Sequence, residues 1–168
     1  SDTRWAADAV GKYEVTAGRI LDQIVGIGSI TRILVCGTSQ LTLALCSDMG
    51  RRQIEHDYFP GADGAQLPGL TLVGPNAREY QEDFEFHEVR KGFGTSRIEI
   101  TVQSQTATPA LLDQLISAAE AGTAVIFVDG AWDPTTATRL AARFPRVPIF
   151  AWDPKASVAA EAVPETSA

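Results

Sequence analysis

Gly37-Thr38-Ser39 follows the short apolar run Ile33–Cys36 and precedes Gln40, Leu41, Leu43, Ala44 and Leu45. Strand, glycine turn and helix in that order make a phosphate cradle, because backbone N–H groups and small hydroxyls then face an anion at the positive end of a helix. Gly37, Thr38 and Ser39 would supply those donors, with Gln40 and Leu41 opening the helix. Asn76 follows a second apolar run, Leu70–Val73, and Gly74, a position that faces a ribose. Asp129 and Gly130 follow a third run, Ala124–Val128, and would border the same crevice. The candidate cofactor-binding set is therefore Gly37, Thr38, Ser39, Gln40, Leu41, Gly74, Asn76, Asp129 and Gly130, and the cofactor NAD or another adenine nucleotide.

The dinucleotide fingerprint is met only in part. It asks for small residues at three positions, for a tight turn, for close approach of the pyrophosphate and for close packing of helix on strand. Those positions hold Gly37, Ser39 and Thr42. Ser39 narrows the approach, although its hydroxyl can donate to a phosphate oxygen, and Thr42 is bulky where the helix presses on the strand. The fingerprint also wants a carboxylate after the second strand, and Gly74-Pro75-Asn76 offers only a neutral amide.

Other chemistries lack their residues. The lysines are Lys12, Lys91 and Lys155, and none completes a phosphate loop or stands four residues after a tyrosine. No Gly-x-Ser-x-Gly elbow is present. His56 and His87 are the only imidazoles, each in a polar context without an evident nucleophile. The acidic group Glu82, Asp83, Glu85, His87 and Glu88 reads as a solvated face before it reads as a metal site. With no catalytic set, the chain is expected not to be an enzyme. An NAD(P)-dependent enzyme with unrecognised catalytic residues is the last alternative.

The elements that must position these residues alternate as in a doubly wound, three-layer α/β domain with a mainly parallel sheet of five or six strands. Residues 4–25 have apolar side chains at helical spacing (Val10, Tyr13, Ala17, Ile20, Leu21, Ile24) and form an extra helix before the first strand. It is expected to cap the sheet, pair with a second copy or lead in from an upstream domain. The first crossover helix fades near Glu55, and 58–69 is a long Gly- and Pro-rich loop. Pro75 is expected at the first position of a helix running to about Phe84. Ile98–Val102 is a strand with one wet face. Thr108-Pro109 opens a helix that stops by Gly122, and Val147–Trp152 is the fifth strand. Ala-Trp-Asp-Pro occurs at 131–134 and 151–154, and each copy reads as a helix start, with Asp as cap and Pro at the first position. The division expected is 1–30 as the extra helix, 31–160 as the nucleotide-binding domain and 161–168 as a flexible tail.

Bulk properties narrow the partners. A chain of 168 residues makes one domain that buries about 70% of its unfolded surface. The formal net charge of −7 argues against nucleic acid and anionic membranes, which select basic surfaces. No apolar run is long enough to span a bilayer. Cys36 and Cys46 read as buried packing residues in a reducing compartment. The chain begins without Met, as an excised piece would.

Ile33-Leu-Val-Cys-Gly-Thr-Ser-Gln-Leu-Thr-Leu-Ala-Leu45, Leu70-Thr-Leu-Val-Gly-Pro-Asn76 and Thr123-Ala-Val-Ile-Phe-Val-Asp-Gly130 together resemble the RCK or TrkA-N domains that regulate potassium conductance. The resemblance spans roughly residues 31–152. It implies a cytoplasmic regulatory domain that senses a nucleotide or dinucleotide, assembles as a homo-oligomer and attaches to a membrane channel or transporter domain. A module that keeps the fold without the ligand, acting by protein contacts through residues 4–25 and the 58–69 loop, is the alternative.

Overall fold

The computed structural model describes residues 2–59, 66–92, 98–130, 132–152 and 161–162, with 2–10 and 161–162 as backbone only. A 26-residue helix, α1 (Asp2–Ile27), leads into β1 (Arg32–Cys36) and α2 (Gln40–Tyr58). Then come β2 (Gly69–Val73), α3 (Ala77–Arg90), β3 (Ile100–Gln103) and α4 (Pro109–Ser117). The chain continues through β4 (Thr123–Phe127), α5 (Pro134–Arg143), β5 (Ile149–Ala151) and the short β6 (Glu161–Ala162). The sheet order is β3-β2-β1-β4-β5-β6; the first five strands are parallel and β6 is antiparallel. This is a Rossmann-like α/β fold, as the alternation of elements predicts.

Strand side chains alternate between two buried layers. Ile33, Val35, Leu70, Leu72, Ala124, Ile126 and Phe150 pack under α1, α2 and α3, whereas Leu34, Cys36, Val73, Val125, Phe127 and Ile149 pack under α4 and α5. Both faces of β4 are covered, which is why it reads as an unbroken apolar run.

The extra helix has a structural reason. Two crossovers toward β3 put α2 and α3 on one face, and the crossovers toward β5 put α4 and α5 on the other. Among the described residues, α1 is the helix that covers the first face of β4 and β5. Ala17, Ile20, Leu21 and Ile24 fill that place at 0–1% exposure, and Tyr13 meets Trp152 edge-on at 5.2 Å between ring centroids. Burial of Ile20, Leu21 and Ile24, roughly 1.5–3 kcal/mol each, holds α1 to the sheet. Val73 at the end of β2 packs under α4, but among the described residues no helix covers the part of that face where Thr71 and the exposed Thr101 share a hydroxyl–hydroxyl bond of 2.7 Å.

Several boundaries differ from the sequence reading. α2 continues past Glu55 to Tyr58 and α3 past Phe84 to Arg90, because Phe84 and Glu88 repeat at helical spacing on the inner side. Pro75 is not the first helical residue of α3; it sits in the turn before the N-terminal cap position, Asn76, whose side chain makes no capping bond. α4 ends at Ser117, and a separate short 3-10 turn, Glu120–Gly122, carries the chain to β4. Thr108 and Asp133 cap α4 and α5 as expected, each with Pro at the start. Part of the expected tail, Glu161–Ala162, pairs with Ala151 and Phe150. The expected helix start at Asp153-Pro154 lies outside the described residues, as do residues 60–65 of the 58–69 loop.

Candidate functional site

The carboxyl ends of β1 and β4 flank the point where strand order reverses, the place where open α/β sheets hold ligands. Hydrogen bonds continue the ladder beyond the strands there: Gly37 N–H donates to Val73 (2.9 Å) and Val128 N–H to Cys36 (3.1 Å). Gly37 takes φ +92, a left-handed conformation that favours glycine and turns the chain out of the sheet.

Asp129 closes the bend. Its Oδ2 accepts the Thr38 N–H at 2.9 Å, and a Cβ on Gly37 would lie 2.3 Å from the same oxygen. Glycine is required here twice, for its φ and for the space its neighbour's carboxylate occupies. Burial, reinforced by the charge of Asp129, raises the pKa of the Cys36 thiol one residue before the turn.

Three further backbone donors of the turn bond within the chain. Ser39 N–H donates to Thr42 Oγ1 at 3.2 Å, Leu41 N–H to Ser39 Oγ at 3.1 Å, and Thr42 N–H to the Ser39 carbonyl at 3.0 Å. Ser39 Oγ in turn donates to the Val128 carbonyl at 2.6 Å. This reciprocal Ser39–Thr42 arrangement is a capping box. Thr42, expected to be too bulky for the helix-to-strand contact, is fully buried and supplies one half of that box. The Ser-x-x-Thr spacing carried the signal.

Of the other candidate residues, Gly74 approaches the turn: a Cβ there would lie 3.5 Å from the Thr38 methyl. Leu41 points its side chain into the core. Gln40, Asn76 and Gly130 are exposed. The structure thus unites Gly37, Thr38, Ser39, Gly74 and Asp129, and leaves the polar side chains of Gln40 and Asn76 at the rim.

Cys36 and Cys46 are free thiols and buried, as expected. No group of three or more metal-ligating side chains converges among the described residues, and the acidic residues of α3 lie along one helix. Among the described residues no helix is long and apolar enough to cross a membrane. Arg52 bridges Asp48 on its own helix and Asp22 on α1, fastening the two helices at their exposed edge.

The fold and the turn define a class, a Rossmann-like α/β domain whose glycine turn is bonded by a carboxylate of its own chain. No family model, curated protein or solved structure matches the chain.

Proposed function

We propose that this chain is a Rossmann-like regulatory module that acts through protein contacts and keeps its glycine turn as a structural bend. The observation that carries this reading is the Asp129 carboxylate over Gly37, bonded to the Thr38 N–H. A phosphate oxygen entering about 4 Å from that carboxylate would meet repulsion of about 4 kcal/mol at an effective dielectric constant near 20. That is close to a thousandfold loss of affinity. Capping by Ser39 removes further donors. The absence of a carboxylate in Gly74-Pro75-Asn76 removes the usual ribose grip.

Surface aromatic residues support the contact role. Tyr58 and Phe59, entering the 58–69 loop, are 75% and 71% exposed, and Phe86 on α3 is 63% exposed. Such side chains are enriched in protein–protein contacts. The partner is a second copy or the attached channel or transporter domain that the resemblance implies.

A second reading, the nucleotide sensor of the resemblance, is favoured by the location of the turn at the switch point. On that reading Asp129 must swing away before a nucleotide enters. A thermal-shift series with NAD, NADH, ATP and ADP separates the two. A ligand at 100 times its Kd adds about 2.7 kcal/mol, or roughly 5–10 °C at this size. The contact module shows no such rise with any of them. A saturable rise in the wild type, enlarged in Asp129→Ala, establishes the sensor.

A further inference from the structure

β3 (Ile100–Gln103) ends the sheet on the side away from β6. The carbonyls of Glu99 and Gln103 point inward, accepting from Leu70 N–H at 2.9 Å and Gly74 N–H at 3.0 Å. Strand alternation then turns the N–H and C=O groups of Ile100 and Val102 outward, and among the described residues no strand lies beyond them. The side-chain amide of Gln81 on α3 donates to the Ile100 carbonyl at 3.3 Å, which confirms that direction. Exposed edges are ordinarily blunted by lysine, proline or a bulge. Ile100-Thr-Val-Gln103 has no charge and no proline, and it pairs with β2 residue for residue. Such an edge is a template for another strand.

We propose that β3 pairs with β3 of a second copy, antiparallel about a two-fold axis through Thr101, joining two sheets into one. This names a partner for the contact role proposed above and rests on that reading. Ile100 then stands opposite Val102 of the second copy and the two exchange both backbone bonds, so every outward group of the strand is used. The Ile100 carbonyl keeps a second lone pair for the new bond. An axis at Val102 would call on Ser104, where the Gln105 N–H, bonded to the Gln103 carbonyl at 2.8 Å, already turns the chain. An axis at Ile100 would bring two Glu99 carboxylates to diagonal positions.

The side chains agree with the axis at Thr101. Glu99 falls opposite Gln103 of the second copy, so on each side of the axis a carboxylate meets an amide that can donate to it. Thr101 falls opposite itself and extends the hydroxyl row begun by Thr71. Ile100 and Val102, half-buried within one copy, cover each other. Gln81 marks the side of α3 that faces the edge, away from the side where His87 and Lys91 turn toward α2. Arg78 and Glu82, both exposed, flank Gln81 there. The two-fold runs α3 antiparallel to its copy, which sets each arginine toward the other's carboxylate. The surface is self-complementary, as a two-fold contact requires.

Sedimentation equilibrium of the whole chain from about 10 µM to about 1 mM, with amide exchange by NMR at both ends, tests the proposal. A monomer–dimer equilibrium is expected, with exchange of the Ile100 and Val102 N–H groups slowing as the dimer forms. Val102→Pro removes an N–H that lies outside the β2 ladder, so the sheet keeps its bonds. Thr101→Lys sets two like charges at the axis from an exposed position. Each should weaken association about tenfold or more, whereas Gln103→Lys, facing Glu99, should strengthen it. A monomer throughout that range, or a dimer that Val102→Pro and Thr101→Lys leave intact, would overturn the β3 interface. Either result is distinct from the thermal rise with nucleotide that would overturn the contact role itself.

Discussion

Substituting Gly37 by alanine perturbs the bend and its latch together, and a double-mutant cycle with Asp129→Ala separates them. Alanine at φ +92 costs about 1–2 kcal/mol from the left-handed backbone alone. Its Cβ would also lie 2.3–2.8 Å from the three carboxylate atoms of Asp129, so the carboxylate must leave. That breaks the Thr38 bond, a charge-assisted contact worth about 1.5–3 kcal/mol. Gly37→Ala should therefore cost roughly 2.5–5 kcal/mol, and Asp129→Ala roughly 1.5–3 kcal/mol. In the double variant the clash is gone and the bond can be lost only once. Its total should not exceed that of Gly37→Ala alone, leaving a coupling of about 1.5–3 kcal/mol. Urea unfolding midpoints of the four proteins provide the measurement. Additivity within about 0.5 kcal/mol would refute the latch, since it is the signature of independent sites.

Three further outcomes follow from the packing and the caps. Ser39→Ala removes the acceptor for Leu41 N–H and the donor to Val128, and should cost about 0.5–2 kcal/mol by urea unfolding. Trp152→Ala removes the ring against which Tyr13 packs and should cost about 3–5 kcal/mol, with amide exchange in α1 accelerated ahead of the rest of the chain. Burial and then the charge of Glu88 push the Cys46 thiol up to about 12, and burial with Asp129 also raises Cys36. A thiol that ionises near pH 9 when unfolded but stays protonated when folded stabilises fully below that pH, and its contribution is lost as pH rises toward the folded value. Between about pH 9 and about pH 10 each thiol should subtract about 1 kcal/mol, and Cys46→Ala should halve the slope of the unfolding midpoint against pH.

The parallel sheet was legible because its central strands are buried on both faces and therefore written as apolar runs, most plainly Ala124–Val128. Thr108 and Asp133 announced their helices by capping chemistry with proline behind. Pro75 misled for a local reason: it occupies a turn that Gly74 and Asn76 complete, and Ala77 is where the backbone first becomes helical. The position of the candidate site was also readable, since a glycine after the first strand falls at the switch point of any such sheet. Its occupancy was not. Asp129 lies 91 residues from Thr38, and only the side-by-side pairing of β1 and β4 brings its carboxylate to that N–H.

The amide resonances of Thr38 and Ser39, followed while ADP is added to the wild-type protein to about 10 mM, test the closed turn most directly. With Asp129 already accepting from Thr38, neither resonance should move saturably. A saturable shift of the Thr38 amide in the wild-type protein would contradict the account.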